Sequence, residues 1–211
     1  MIVEVLEHDL EQKWINAAKQ HKHVGIDIET SGLDKEKATI ATVQVNVPTF
    51  GTAIVRNLDK PYLLMHLLEN ASVRKIFHYA HFDLTFLMRD YKVMPQWIGD
   101  TKVAAKILDP KKDRYYDPNK EKYSHSLAAL VWYYKSIRLD KTEATSDWFG
   151  ELSQSQIEYA VKDTLYLVDI LSYMEEEAQR KGTFFLLAGA HAFIPTSIQL
   201  QLKGIQDPFG Y

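Results

Sequence analysis

Asp27 and Glu29 are separated by one isoleucine in the run Gly25-Ile26-Asp27-Ile28-Glu29-Thr30. In an extended strand alternate side chains share a face, so both carboxylates project from one side while Ile26 and Ile28 enter a core. Two like charges on one patch raise each other's pKa or recruit a cation, so the pattern asks for a metal or a cluster of donors. An edge strand with a solvated acidic face would share it. A second acid, Asp83, falls inside the apolar stripe Tyr79, Phe82, Phe86 and Leu87 of a helical stretch. It therefore faces the protein and needs an ion pair such as Arg89, a backbone amide or a metal. Tyr159 and Asp163 stand four apart on a later helix, where their side chains can approach one point. His78 and His81 do not have zinc-site spacing.

The elements that must position these groups follow from periodicity. Residues 2–6 alternate weakly as an edge strand, and Asp9 with Gln12 resembles a capping box ahead of a helix whose stripe is Leu10, Trp14, Ala17, Ala18 and His21. Strands at 24–29, 39–47 and 52–55, joined by short links, read as an antiparallel meander. Asp59 is placed to cap a helix with Pro61 in its first turn, and a strand at 74–77 follows. Helices are expected at about 79–90, 101–108, 125–135 and 154–179, with helical character in 183–193. Ser153 and Gln156 can form a capping box, and Ile157, Val161, Thr164, Val168 and Leu171 make the core stripe of the helix they open.

Composition sets the bounds. With 211 residues, 46% of them hydrophobic and 12% aromatic, the chain can bury the core of one α/β domain. A formal charge of −3 argues against coating long nucleic acid by charge alone, though not against gripping a strand end. Without cysteine there is no disulfide, thiolate or cysteine–zinc chemistry. No signal peptide or membrane-length apolar run is visible, so a cytoplasmic location and no membrane partner are expected.

In order and context, Asp27-x-Glu29, Phe82-Asp83 and Tyr159-x-x-x-Asp163 resemble the three motifs of the DEDD superfamily of 3′–5′ exonucleases, in its tyrosine-bearing DEDDy branch. The similarity is to ribonuclease D, through Asp27 to Leu33, Val43-Gln44-Val45, His78-x-Ala80, Asp100-Thr101, Ser126-Leu127-x-x-Leu130, Ser146-Asp147-Trp148 and Tyr159-Ala160-x-x-Asp163. It covers about residues 2–180 and implies a ribonuclease H-like α/β fold, a mixed sheet of about five strands flanked by helices. It further implies that Asp27, Glu29, Asp83 and Asp163 hold two Mg²⁺ or Mn²⁺ ions, with Asp27 bridging. Phosphodiester hydrolysis fits two such ions, and an all-oxygen ligand set selects hard cations.

Tyr159 would orient the attacking water, being a poor base at an ordinary pKa near 10. Thr30, Leu33, His78, Tyr79 and Phe82 would meet substrate, Leu33 as a wedge against the terminal base. The pattern departs at Tyr79, where many relatives carry asparagine. The implied substrate is the 3′ end of RNA, as in RNA processing, or single-stranded DNA, for an enzyme working as a monomer or homodimer. The chain ends too soon for the helical RNA-binding domains of full ribonuclease D, so one catalytic domain over 1–211 is expected, with the apolar stretch 182–211 packed on it. Residues 109–125 mix lysines with Tyr115, Tyr116 and Tyr123, as a substrate flap or a solvated loop. A non-catalytic binding module on the same fold would be marked by loss of an acid, and none is lost.

Overall fold

The computed structural model describes residues 1–205 and residue 208. Strands β1 (Ile2–Glu7), β2 (His23–Thr30), β3 (Ile40–Val47), β4 (Gly51–Arg56), β5 (Arg74–Phe77) and β6 (Ile98–Asp100) form one sheet in the order β1-β4-β3-β2-β5-β6. β2, β3 and β4 make the expected antiparallel meander, and β1, β5 and β6 join it in parallel. Among the described residues the mixed sheet thus has six strands, where the family resemblance implies about five. The extra strand, Ile98-Gly99-Asp100, is too short to show alternation.

Helices α1 (Gln12–His21), α2 (Tyr62–Glu69) and α3 (Ala80–Tyr91) share one core with Ile26 and Ile28, through Trp14, Leu64 and Phe86. On β2 the isoleucines therefore point away from Asp27 and Glu29, as alternation requires. α4 (Thr101–Leu108), α5 (Leu127–Lys135), α7 (Leu167–Arg180) and α8 (Phe184–Leu202) enclose a second core around Leu130, Ile170 and Leu171. Between them α6 (Gln154–Leu165) packs on β2, β3 and β4.

Several local expectations change. Asp9 does not cap α1; its carboxylate accepts from Leu63 N (2.7 Å) and Leu64 N (3.0 Å) at the start of α2, a role expected of Asp59. The turn at the end of β1 brings Asp9 across to α2, a proximity in space that spacing along the chain does not encode. The stretch 154–179 is two helices, broken at Tyr166, so that α6 crosses the sheet while α7 runs against α4. The capping box of Ser153 and Gln156 is present.

Helicity near the C-terminus extends beyond 193 to Leu202 and passes through Pro195. α8 packs on α3, α4, α7 and β6 and buries Leu187, His191, Ile194 and Ile198. Within the C-terminal stretch named above, residues 206, 207 and 209–211 lie outside the described residues.

Residues 109–125 are not a free loop. They contain a hairpin of β7 (Tyr116–Asp117) and β8 (Lys122–Tyr123). Tyr115 is fully buried against Tyr133, Tyr134 and His125, and Arg114 forks onto Glu177 of α7 and Tyr133 Oη. That guanidinium holds the Glu177 carboxyl down at about 2. Of its three tyrosines, Tyr116 and Tyr123 are exposed, with ring centroids 5.8 Å apart.

Gly25 shows how closely the site is built. A Cβ there would lie 2.5 Å from the carbonyl oxygen of Thr164, next to Asp163. Only glycine lets α6 lie this close to β2. Gly25→Ala is therefore expected to lower stability by about 1–3 kcal/mol through overpacking and to cut activity at least about tenfold by displacing Asp163. A denaturant melt and a rate measured on the folded fraction check both.

Candidate active site

Oxygen atoms of Asp27, Glu29 and Asp163 all lie within 4.8 Å of one another. β2 supplies the first two on one face, and α6 delivers the third from above through the close approach at Gly25. Asp83 is nearly fully buried on the first turn of α3, and its Oδ1 accepts from Ile28 N at 3.2 Å. Of the partners considered for it, the backbone amide is the one observed. Arg89 binds Asp90 and the carbonyls of Lys35 and Ala38 instead.

Electrostatics mark this cleft as one that wants a cation. Burial, then Asp163, pushes the Asp27 carboxyl up to about 7. Burial, then Asp27, pushes Glu29 up to about 9, and burial beside Asp27 raises Asp83 well above the usual carboxylate range. Carboxylates that resist ionisation together become ligands when a positive charge arrives. Three converging oxygen donors without nitrogen or sulfur suit a hard divalent cation such as Mg²⁺.

Tyr159 is buried with Asp163 on the face of α6 turned to the site, whereas Ile157 and Val161 of the expected core stripe are only half-buried. Its ring packs against Trp148, and burial beside Asp163 raises its hydroxyl further above the ordinary tyrosine value. Lys141 was not anticipated. Its Nζ donates to Asp163 Oδ1 (2.6 Å) and Oδ2 (2.8 Å) and lies 3.4 Å from Tyr159 Oη. No spacing rule links a loop lysine to an acid 22 residues later, so nothing in the pattern singled it out.

The remaining expected residues lie close to these acids along the chain. Thr30 Oγ1 donates to Gly32 O (2.7 Å), fixing the turn that leaves Leu33 83% exposed. Tyr79 precedes α3 in a left-handed conformation (φ 76°), half-exposed beneath the Lys102 ammonium 3.9 Å from its ring centre, so it is outside the helical stripe assigned to it. Asp100 holds that corner by accepting from Tyr79 N (3.2 Å) and Ala80 N (2.8 Å) while capping α4. His78 Nδ1 bonds Thr101 Oγ1 (2.9 Å), and burial, then Lys102, keeps its imidazole neutral. Phe82 is half-buried against Phe86.

The 3′–5′ exonuclease family model matches residues 2–179. Ribonuclease D of Nitrobacter hamburgensis is 31% identical over 134 residues, covering 62% of this chain and 31% of the relative. The chain thus spans about three-tenths of the length of the curated relatives it matches. The solved structure of Brucella melitensis NrnC bound to pGG is 29% identical with a TM-score of 0.86, covering 100% of this chain and 99% of that one. NrnC with bound Mg²⁺ is 28% identical with a TM-score of 0.85, covering both chains in full. Among the described residues no helix is long and apolar enough to cross a membrane. Sheet topology, the acid cluster and the match over most of the chain agree, and this protein belongs to the 3′–5′ exonuclease family, with a ribonuclease H-like α/β fold.

Proposed function

We propose that the chain is a divalent-metal-dependent hydrolase that removes nucleotides from the 3′ end of RNA in the manner of ribonuclease D, and also from single-stranded DNA. The observation that carries it is the convergence of Asp27, Glu29 and Asp163 within 4.8 Å beside Tyr159. These three carboxylates, with Asp83 behind them, would hold two Mg²⁺ or Mn²⁺ ions. When bound, such ions stabilise charge on the attacking and leaving oxygens of an in-line displacement.

The chain's own groups do the positioning. Tyr159, whose hydroxyl is held protonated, orients the attacking water beside Asp163 and does not take its proton. Leu33 wedges against the terminal base, and Thr30 fixes the turn that presents it. His78, Tyr79 and Phe82 line the path of the next nucleotide at the start of α3. The paired Tyr116 and Tyr123, with Lys120 and Lys122 beside them, offer a stacking platform for further bases. The full-length likeness to NrnC bound to pGG supports oligonucleotides as short as two residues as substrates.

Digestion of 5′-labelled RNA and DNA oligomers of equal sequence, and of pGG, with Mg²⁺, Mn²⁺ or EDTA tests this. Stepwise shortening from the 3′ end with metal and none with EDTA is expected; metal-independent or absent cleavage would overturn it. Tyr159→Phe is expected to slow single turnover by roughly 10- to 1,000-fold with little change in substrate affinity. An unchanged rate would make Tyr159 a packing residue for Trp148.

A further inference from the structure

We infer that Lys141 is a positioning residue of this site: its ammonium is a built-in counter-cation that holds Asp163 and Tyr159 in place until a divalent ion displaces it. The inference rests on the proposed metal site and concerns how that site is kept and loaded. Both oxygens of Asp163 accept from Lys141 Nζ, at 2.6 and 2.8 Å, and the ammonium lies 4.9 Å from the centre of the Tyr159 ring. The same charge acts on Asp27 and Glu29, opposing their rise. One lysine thus serves the acids that would otherwise repel one another.

The backbone around Lys141 is built to keep it there. It immediately precedes a short 3-10 turn, Thr142–Thr145, and Asp140 Oδ1 accepts from Thr142 N (2.9 Å). The segment is then tied to α6, because Gln156 Nε2 donates to Asp147 O (2.6 Å) and Ser146 Oγ (3.2 Å) while Trp148 packs on Tyr159. The Lys141 side chain itself remains 31% exposed. Its flexible stem can carry the charge out to water without disturbing those ties.

Displacement is forced by electrostatics. An ion bound by Asp163 would stand within a few ångströms of an ammonium on the same carboxylate, and like charges at that distance in a part-buried cleft repel strongly. Metal affinity at this site is therefore lowered by competition with Lys141, and the metal-free site is kept assembled by it.

The test compares wild type, Lys141→Met and Lys141→Arg at pH 8, by thermal melts in EDTA and by calorimetric titration with Mn²⁺. For Lys141→Met we expect a melting temperature in EDTA lower by about 4 °C. Its Mn²⁺ dissociation constant should fall about tenfold, the scale of one coupled charge. Lys141→Arg, which keeps the charge, should melt within about a degree of wild type and bind Mn²⁺ no more tightly. Two results overturn the inference: Mn²⁺ affinity unchanged in Lys141→Met, or weakened together with the lower melting temperature, as for a mere structural prop. Wild type that binds no Mn²⁺ would instead remove the metal site of the proposed function, and the competition with it.

Discussion

Asp27→Asn should abolish hydrolysis while leaving the protein folded. Asp27 lies within 4.8 Å of both Glu29 and Asp163 and its charge acts on Asp83 as well, so its carboxylate is the one we propose the pair of ions would share. An amide keeps its shape but removes the charge and leaves one oxygen as a donor. The expected loss is about a thousandfold or more in single turnover, as for a group on which several others depend. Stability should not fall with it. The Asp27 carboxyl is pushed up to about 7, so near neutral pH the metal-free protein already carries much of it uncharged, and asparagine imitates that form. Rate assays on a protein whose EDTA melt matches wild type make the comparison clean; more than a few per cent of wild-type activity in a pure preparation would contradict the shared-ligand role.

Much of this site could be read from the chain because its parts follow local periodicities. The two-residue alternation of β2 fixed the common face of Asp27 and Glu29, and the four-residue spacing of α6 brought Tyr159 beside Asp163. What could not be read depends on contacts between distant segments. Lys141 reaches Asp163 from an irregular loop, Asp9 caps a helix that begins more than fifty residues later, and Gly25 matters only because Thr164 lies against it. The 109–125 stretch is a further case of the same kind. Its lysines look solvated, yet Tyr115 and Arg114 are anchored by α5 and α7, which its own composition does not reveal. The break at Tyr166 was hidden because the apolar spacing continues through it.

Glu29→Gln should stabilise the metal-free protein, by an amount that grows with pH. Burial and the neighbouring Asp27 raise the Glu29 carboxyl from 4.5 to about 9. An acid raised on folding binds more protons in the native state, so it costs stability progressively as pH climbs from its unfolded value through its folded one. Glutamine has no proton to lose. The gain of the variant over wild type in EDTA should be nil near pH 4.5 and complete near pH 9. Its size should be about 2–4 kcal/mol after allowance for solvent screening, or roughly 5–10 °C in melting temperature.

Other groups run against this trend in the raw melts. His78, His81 and His191 are held below the ordinary histidine value by burial, and Lys75 is pushed down to about 7, so each favours the fold as pH rises. They are common to both proteins and cancel in the difference. With Mn²⁺ the order should reverse, because wild type keeps a ligand that the variant has lost and gains stability by mass action. Paired melts from pH 5 to 9, in EDTA and in Mn²⁺, read all of this. A glutamine variant that melts below wild type in EDTA at pH 8 to 9 would mean that Glu29 holds the fold through a buried ion pair, since breaking such a pair costs about 3–5 kcal/mol with or without metal.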